Sequence, residues 1–273
     1  MNLRAGKFVL TLDRPLVMGI VNVTPDSFSD GGKFLARDAA IAHARKLVED
    51  GADILDIGGE STRPGAAAAS LNEELERVLP VLEAVVADGV PVSIDTQKPA
   101  VMAAAIAAGA SMINDVNALQ ADGAVKLCAT SNVAVCLMHK QGQPATMQAA
   151  PSYEDVVAEV CAFLASRAKA CVDAGIANER IVVDPGFGFG KTIDHNFRLL
   201  REMRSIAALG YPVMAGFSRK ASLGIVTGRA ADERLAASVT AAILCAQNGA
   251  TILRVHDVRE TVDAVKVLMA VRG

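Results

Sequence analysis

The sequence predicts a single (β/α)8 TIM barrel preceded by a short N-terminal β-hairpin, and two observations support this prediction. The chain has 273 residues, and one barrel of about 250 residues uses nearly all of them. Eight apolar runs rich in valine and isoleucine begin at intervals of about 33 residues, the length of one strand with its following helix. We therefore assign residues 1–273 to one domain.

The eight predicted strands are continuous apolar runs, as expected for parallel strands that are covered on both faces. Each run ends in polar residues or glycine. In chain order they are Leu16–Val23, Ile54–Glu60, Pro91–Thr96, Met112–Val116, Val133–His139, Ile181–Phe187, Pro212–Phe217 and Ala250–His256. Ahead of them, Phe8–Leu12 is expected to form a hairpin with the first barrel strand or a plug over the barrel floor.

The segments between the predicted strands have helical spacing. Leucine and valine form one apolar stripe from Leu71 to Val86. Ser70 and Glu73 match a capping box at the start of this helix. Gly89 stands where the helix would stop.

A second clear helix is expected to begin at Ser152 and to end before Gly175. A doubly wound sheet would also alternate strands with helices, but it needs a glycine-rich turn after its first strand. Here Thr24, Pro25, Asp26 and Ser27 follow the first strand. The barrel is therefore favoured.

Composition excludes several classes of function. The chain has 27 Lys and Arg against 30 Asp and Glu, a net charge of −3, which argues against a nucleic-acid binder because such proteins need a basic face. No apolar run approaches the roughly 20 residues of a membrane span. The start MNLRAGKF lacks the features of a signal peptide, so a cytoplasmic protein is expected. Five cysteines without a Cys-x-x-Cys pair predict buried thiols instead of a disulfide framework.

Polar side chains collect where the predicted strands end, at the edge where barrel enzymes place their active sites. Arginine and lysine with helix N-termini bind phosphates, whereas carboxylates and an amide suit a ligand with N–H donors. This mixture indicates one substrate with an amino-substituted heterocycle at one end and an anionic leaving group at the other. The residues concerned are Asn22, Arg63, Asp95, Asn114, Asp184, Arg219, Lys220, Arg254 and His256.

Some polar residues near these strand ends also have structural interpretations. His139 is either functional or a hydrogen-bonded structural histidine, and Arg219 either meets substrate or pairs with a local carboxylate. Asp56, inside the second strand, is expected in the barrel interior, and Asp257 is expected to cap a helix. Lys191 ends a glycine-rich run that fails the phosphate-loop pattern by one residue, and it is expected to begin a helix in solvent.

Eight segments at the strand ends, in order and over nearly the whole chain, resemble the dihydropteroate synthases. The first two segments and the segment with Ser-Arg-Lys are highly specific together. The segments are MGIVNVTPDSFSDGG (Met18–Gly32), GGESTRPGA (Gly58–Ala66), SIDTQKP (Ser93–Pro99), INDV (Ile113–Val116), LMHKQG (Leu137–Gly142), DPGFGFGK (Asp184–Lys191), GFSRKASLG (Gly216–Gly224) and RVHDV (Arg254–Val258).

This resemblance implies a reaction and a cofactor. Members of the family are (β/α)8 barrels that join 6-hydroxymethyl-7,8-dihydropterin diphosphate to p-aminobenzoate, releasing pyrophosphate and forming dihydropteroate in folate biosynthesis. Asn22 resembles the magnesium ligand of the family, so Mg2+ is expected. The implied mechanism is dissociative: cations stabilise the departing pyrophosphate before the arylamine attacks. The resemblance also implies a homodimer and a target of sulfonamides.

The resemblance implies three groups of site residues. Those for the pterin are Asp95, Asn114, Met138, Asp184, Phe189, Gly216, Lys220 and Arg254. Those for the diphosphate are Asn22, Thr62, Arg63, Arg254 and His256. Those for p-aminobenzoate are Phe28, Pro64, Phe189, Ser218 and Lys220. The expected catalytic groups are Asn22, Lys220, Arg254 and His256.

Two other functions are open at this point. The pterin-binding domains of corrinoid methyltransferases resemble the same barrel, but they would not need the STRPG, first-loop and SRK segments that this chain carries. A catalytically silent paralogue would often have a damaged motif, and none is damaged here. For a dimer interface, apolar residues of Leu235–Leu244 with Val262, Val265, Val267, Leu268 and Met269 are candidates, although barrel packing alone explains much of this pattern.

Overall fold

The computed structural model describes residues 1–23, 33–60, 69–142, 147 and 151–273, with no side chains for residues 33–35. The strands are β1 (Asn2–Ala5), β2 (Phe8–Thr11), β3 (Leu16–Asn22), β4 (Ile54–Gly58), β5 (Val92–Asp95), β6 (Met112–Asp115), β7 (Ala134–Met138), β8 (Ile181–Asp184), β9 (Met214–Ala215) and β10 (Ile252–Val255). Strands β3 to β10 form one parallel sheet in the order β8-β7-β6-β5-β4-β3-β10-β9, and a bridge between Val183 and Val213 joins its two edges. All eight lie within their predicted segments, which confirms the barrel.

Helices follow the barrel strands and cover them from outside. They are α1 (Lys33–Glu49), α2 (Leu71–Val86), α3 (Pro99–Ala107), α4 (Ala124–Ala129), α5 (Val156–Asp173), α6 (Ile193–Arg201), α7 (Met203–Ala207), α8 (Ala221–Thr227), α9 (Leu235–Gln247) and α10 (Val258–Arg272). Within the described ranges, the units after β8 and β9 carry two α-helices each, and the other units carry one.

The start of α2 is as predicted. The Ser70 hydroxyl accepts a hydrogen bond from the Glu73 backbone N at 3.3 Å, and the Glu73 carboxylate accepts one from the Ser70 backbone N at 2.8 Å. This reciprocal capping box satisfies two N–H groups that have no partner inside the helix. Gly89 follows the helix with a φ of 79°.

The start of α5 differs from the prediction. The helix begins at Val156 instead of Ser152, because the Asp155 carboxylate caps it by accepting hydrogen bonds from Val157 N and Ala158 N at 3.0 and 3.1 Å. Ser152 is used elsewhere: its backbone N and O bind the side-chain amide of Gln141. An aspartate three residues further along thus replaces the serine as the N-cap.

Alternation along the strands divides side chains between the inside and the outside of the barrel. Outward residues such as Leu55, Ile113 and Leu253 join the helices in the main hydrophobic core. Inward residues change in character along each strand. Ile54, Met112, Val182 and Ile252 belong to a separate buried apolar cluster, which we call the barrel floor. Two residues later on the same four strands stand Asp56, Asn114, Asp184 and Arg254, at what we call the barrel mouth.

The N-terminal hairpin closes the barrel floor. β1 pairs with β2 in an antiparallel two-stranded sheet, and Leu3 and Ala5 of β1 are buried against the floor cluster. Gly6 opens the two-residue turn with a φ of 59°, a conformation that favours glycine. The plug is therefore confirmed, whereas pairing with the first barrel strand is wrong because β4 and β10 occupy both edges of β3.

The cysteines agree with the prediction of buried thiols. All five cysteines are free thiols, and four of them are buried. Over the described ranges, no helix is long and apolar enough to cross a membrane.

Candidate active site

Arg254 lies at the barrel mouth between two carboxylates. Its Nε is 2.6 Å from Asp56 Oδ2 and its Nη2 is 2.8 Å from Asp95 Oδ2. Asp56 is fully buried, as predicted for an interior group. Burial raises the pKa of Asp95 to about 7, although the charge of Arg254 opposes this shift. Burial also acts against the charge of Arg254, but the two carboxylates outweigh it and raise the pKa of Arg254 above its ordinary value.

Asn114 contributes an oriented amide to the same cluster. It is buried, and its Nδ2 donates to Asp56 Oδ2 over 3.1 Å. This bond directs the NH2 group toward Asp56 and leaves Oδ1 as the acceptor of the amide. Asn114 is therefore suited to receive an N–H donor from a ligand, as the sequence predicts.

Asp184 ends β8 and is buried beside the loop that follows it. Its Oδ1 accepts a hydrogen bond from Gly186 N over 2.6 Å. Burial raises the pKa of Asp184 to about 6, against the opposing effects of this bond and of the Lys220 charge. No donor of the described chain reaches Oδ2, so this oxygen is able to accept from a ligand.

An apolar cluster lies beside these polar groups. Met138 and Phe189, both predicted as walls of the site, are buried together with Val116 and Met147. Neither Val116 nor Met147 is predicted as a wall of the site: Val116 falls at the end of a predicted strand, and Met147 carries no periodic signal. The cluster is separate from both the barrel floor and the main core.

Lys220 joins the apolar cluster to the charged one. Its Nζ lies 4.2 Å from the centre of the Phe189 ring, a cation–π contact. Burial lowers the pKa of Lys220 to about 8, and the positive charge of Arg254 adds to this effect. Gly216 stands beside the Arg254 side chain, since a Cβ on this glycine would lie 3.9 Å from Arg254 Cδ.

His256 and Ser218 contact each other at the ends of β10 and β9. The Ser218 Oγ lies 3.1 Å from His256 Nδ1 and accepts from the His256 backbone N over 3.3 Å. Burial, with the neighbouring charges of Arg219 and Arg254, lowers the pKa of His256 to about 3. The ring is therefore neutral near pH 7, so it can offer the expected diphosphate a hydrogen bond and not a positive charge.

Arg219 pairs with a local carboxylate, one of the two interpretations that the sequence leaves open. Its Nε and Nη2 lie 3.2 and 2.5 Å from the carboxylate oxygens of Asp257. The prediction that Asp257 caps a helix is correct for its position before α10 but wrong for its side chain, which makes no capping hydrogen bond. The Asp257 carboxylate accepts hydrogen bonds from the guanidinium of Arg219 instead.

Lys191 is buried, which corrects the prediction that it begins a helix in solvent. Its Nζ lies 3.0 Å from His139 Nδ1, 3.3 Å from the His139 carbonyl and 3.0 Å from the Phe189 carbonyl. Burial lowers the pKa of Lys191 to about 7 and that of His139 to about 3. A lysine just before a helix is normally solvated, and only the packing of the preceding glycine run against β7 encloses this one.

A partly buried ion triad, which the sequence did not predict, forms around Lys98. Lys98 Nζ lies 2.8 Å from Glu60 Oε2 and 2.5 Å from Glu74 Oε2. Glu60 Oε1 also accepts from Ala69 N over 3.0 Å, so the triad ties together the residues on either side of 61–68. The available signal was Glu74, a carboxylate four residues before Val78 on the apolar stripe of α2.

Four predicted site residues, Phe28, Thr62, Arg63 and Pro64, lie outside the described residues. Asn22 is described: it ends β3 with an exposed side chain. The ranges that the structure describes contain no group of three His, Cys, Asp or Glu side chains that could hold a metal ion.

Comparison with known proteins identifies the family of this chain. A family model for pterin binding enzymes matches residues 18–256. The dihydropteroate synthase of Neisseria meningitidis serogroup B is 51% identical over 271 residues, which cover 97% of this chain and 95% of the relative. The dihydropteroate synthase of Escherichia coli K12 is 47% identical, with 99% of this chain and 96% of the relative covered.

Solved structures give the same result. The dihydropteroate synthase of Xanthomonas albilineans with 4-aminobenzoic acid has a TM-score of 0.94 and 54% identity, covering 100% of this chain and 99% of that one. A structure from the same organism in complex with 7,8-dihydropteroate has a TM-score of 0.92 and 52% identity, with the same coverage. Because these matches span nearly the full length of both proteins, the chain belongs to the dihydropteroate synthases, a family of transferases.

Proposed function

We propose that this chain condenses 6-hydroxymethyl-7,8-dihydropterin diphosphate with p-aminobenzoate, releasing pyrophosphate and forming 7,8-dihydropteroate. The barrel mouth carries this proposal, because acceptors on Asp184 and Asn114 stand with the cations Lys220 and Arg254 in one cluster of contacts. The Xanthomonas albilineans relatives were solved with 4-aminobenzoic acid and with 7,8-dihydropteroate, one substrate and the product of this reaction.

The pterin is expected at the acceptors. Its aminopyrimidine edge presents N–H donors, and an ionised carboxylate that faces such donors forms charge-assisted hydrogen bonds. Asp184 Oδ2 and Asn114 Oδ1 are the acceptors that remain after their bonds to Gly186 and Asp56. Lys220 supplies donors for the ring oxygen and nitrogen, while Met138 and Phe189 supply the apolar wall.

The diphosphate is expected beside Arg254. Asp56 and Asp95 accept hydrogen bonds from Nε and Nη2 of Arg254, so the Arg254 guanidinium is oriented before substrate binds. A group that is oriented in advance stabilises developing charge without reorganising during the reaction. His256 adds a hydrogen-bond donor, and Asn22, Thr62 and Arg63 are the other groups that the resemblance places near the diphosphate.

The substitution is expected to be dissociative. The bond between the pterin methylene carbon and the diphosphate oxygen breaks, and its electron pair leaves with the pyrophosphate. The amine nitrogen of p-aminobenzoate then attacks the pterin-methyl cation and loses a proton to water. This route needs stabilised charge rather than an enzyme nucleophile. It is consistent with Ser218, whose partner His256 has no hydrogen bond to a carboxylate among the described side chains.

Mg2+ is the proposed cofactor, with Asn22 as its protein ligand. The exposed amide of Asn22 offers a hard oxygen donor, and magnesium usually takes one or two protein groups with phosphate oxygens and water. Of the mouth carboxylates, Asp56 and Asp95 are engaged by Arg254 and Asp184 is assigned to the pterin, so a substrate phosphate is the proposed second ligand. When bound there, the ion would neutralise charge on the leaving pyrophosphate.

The p-aminobenzoate is expected on the side of Phe189 and Lys220 that faces away from the proposed pterin position. Ser218, the predicted partner of its carboxylate, is buried with its hydroxyl against His256, so this contact requires the hydroxyl to serve both groups. Phe28 and Pro64 complete the proposed pocket. Relatives of this chain have been solved with a sulfonamide drug, and we propose that the same pocket receives such compounds here.

A homodimer in the cytoplasm is also proposed. Of the apolar residues suggested for an interface, Val265 and Leu268 are buried in the core and are removed from the set. Exposed apolar side chains on α8, α9 and α10 support the interface: Ile225, Val226, Leu235, Leu244, Val267 and Val271. Light scattering of the purified chain gives the mass that tests this, and a monomer would contradict it.

The decisive experiment follows both products. Purified protein is incubated with the dihydropterin diphosphate, with and without p-aminobenzoate and Mg2+, and pyrophosphate and dihydropteroate are measured together. We expect coupled formation of both, dependent on Mg2+. Pterin binding without either product would favour a silent paralogue, binding of a methylated folate would favour a methyltransferase domain, and no binding would contradict the site itself.

A further inference from the structure

Lys191 is bonded in a way that solvent-exposed lysines are not. An ammonium group has three N–H donors, and Lys191 Nζ has three acceptors, at 3.0, 3.0 and 3.3 Å. Two of these belong to His139 at the end of β7, and the third is the Phe189 carbonyl in the loop after β8. Lys191 is 3% exposed, so water does not supply substitutes. This one side chain therefore holds two neighbouring loops together.

The loop that Lys191 holds is the one that arranges the proposed pterin site. Its Gly186 N donates to the Asp184 carboxylate, and its Phe189 ring lies under the Lys220 ammonium. Phe189 N also donates to the Gly186 carbonyl over 3.1 Å, which makes the loop one compact turn. A shift of this turn would move an acceptor and an apolar wall of the site at once.

The turn is packed closely against the end of β7. Gly186 and Gly190 have φ values of 67° and 62°, and a Cβ on either would collide with the carbonyl of His139 or Gln141. At its far end, the Tyr153 hydroxyl donates to the Gly190 carbonyl over 2.8 Å. The carbonyl oxygens of His139 and Phe189 both lie next to Lys191 Nζ, and two such oxygens repel each other. Lys191 supplies the positive charge and the N–H donors that hold them together.

We propose that Lys191, with His139 as its partner, is a positioning residue: by joining the His139 and Phe189 carbonyls, it sets the turn that aims Asp184 and Phe189 at the pterin. This inference rests on the proposed function for the identity of the ligand. Lys191 does not contact substrate in this role and acts through the turn.

The arrangement is satisfied with or without the extra proton on Lys191. As an ammonium, Lys191 donates to all three acceptors and His139 carries its proton on Nε2. As an amine, it donates to the two carbonyls and accepts from His139 Nδ1–H. The charged groups that act on Lys191 are Asp184 and Lys220. Because the three contacts persist in both states, the geometry implies a fixed support and not a pH switch.

Lys191→Met tests this inference, since methionine fills a similar space without donors. The readouts are calorimetric affinities for 6-hydroxymethylpterin and, separately, for pyrophosphate with Mg2+, together with kcat and KM. We expect pterin affinity to fall about tenfold or more, as for a loss of hydrogen bonds to a charged group. Pyrophosphate affinity is expected to stay unchanged, because the hydrogen bonds of Arg254 and His256 among the described residues go to Asp56, Asp95 and Ser218 and not to the turn. A parallel loss of both affinities, or a loss of neither, would overturn the proposal.

Two further variants, one of them a matched control, complete the test. Lys169→Met, at an exposed ion pair on α5, is the matched control and is expected to change neither affinity. His139→Phe keeps the backbone carbonyl and an aromatic ring but removes Nδ1, so a smaller loss of pterin affinity is expected. This variant keeps the proposal testable if Lys191→Met fails to fold. An unaltered pterin affinity in His139→Phe would contradict the partnership. If the wild type binds pterin and makes no dihydropteroate, the proposed function fails while these affinities still decide the inference.

Discussion

The floor and the mouth of the barrel are built by the same strands, two residues apart, and they differ in almost every property. Ile54, Met112, Val182 and Ile252 face inward at the floor and are apolar and buried. Asp56, Asn114, Asp184 and Arg254 face inward at the mouth and are polar or charged. Position along a strand therefore separates inward residues that form the apolar floor from inward residues that form the proposed ligand site at the mouth.

The energetics of the two ends are opposite. Apolar burial at the floor stabilises the fold by about 25 cal/mol for each Å2 removed from water. At the mouth, the ion pairs of Arg254 with Asp56 and Asp95 must first overcome desolvation, so replacing them with apolar residues is often neutral or stabilising. The proposed function, and not fold stability, therefore accounts for the charges at the mouth.

Removal of the mouth cation is expected to have the largest effect. Arg254→Met takes away the charge beside the proposed diphosphate position and leaves Asp56 and Asp95 without the cation that binds both. We expect kcat/KM to fall by about 10²–10³-fold, the usual effect of losing one stabilising donor. Steady-state kinetics measure this loss, and wild-type turnover in the variant would remove Arg254 from the mechanism.

A double variant distinguishes a loss of catalytic activity from a loss of fold stability. Arg254→Met alone is also expected to lower the melting temperature, because an unpaired buried charge is costly. Adding Asp56→Asn removes one of the two carboxylate charges, so the melting temperature should partly recover while activity should not. Recovery of activity in the double variant would show that the Arg254 effect was a folding effect.

The pH dependence of pterin use is expected to be the next largest effect. Asp184 accepts N–H groups when ionised, so kcat/KM for the pterin substrate rises as pH increases through its pKa of about 6, with Asp95 adding a second step near 7. Lys220 donates as an ammonium, so kcat/KM falls as pH increases through its pKa of about 8. The profile is therefore bell-shaped.

Asp184→Asn is the control for that profile. It cannot ionise, so the rising limb should move toward the Asp95 value. The falling limb should move to lower pH, because the Asp184 charge raises the pKa of Lys220 and is lost in the variant. Pterin KM should rise about tenfold to a hundredfold, the loss expected for a hydrogen bond to a charged group. An unmoved rising limb would assign it to another group.

The smallest effect is expected at the floor. Ile54→Val removes one buried methylene group and should cost about 0.5–1.5 kcal/mol of unfolding free energy. Chemical denaturation measures this loss, while kcat/KM under native conditions should match the wild type. If Ile54→Val lowered kcat/KM as much as Arg254→Met does, the functional division between the floor and the mouth would be wrong.

Much of the fold was predictable because its signals are local. Val- and Ile-rich runs with helical segments between them predict the strands, and Ser70 with Glu73 predicts a helix start from neighbouring residues alone. The mouth was also predictable in part, since parallel strands place their C-terminal residues at one edge. The pairing of the hairpin was not, because whether the edge of β3 is free depends on the distant β4 and β10.

The sequence by itself determined which residues reach the mouth, since strand length and alternation decide where Asn114, Asp184 and Arg254 fall. Only the tertiary structure decided what each one contacts there. Arg254 is 198 residues from Asp56, Lys191 is 52 residues from His139, and Lys98 is 38 residues from Glu60. Hydrogen bonds and burial act through space, so no pattern of neighbouring residues could reveal that Lys191 is enclosed or that Arg254 is held before substrate arrives.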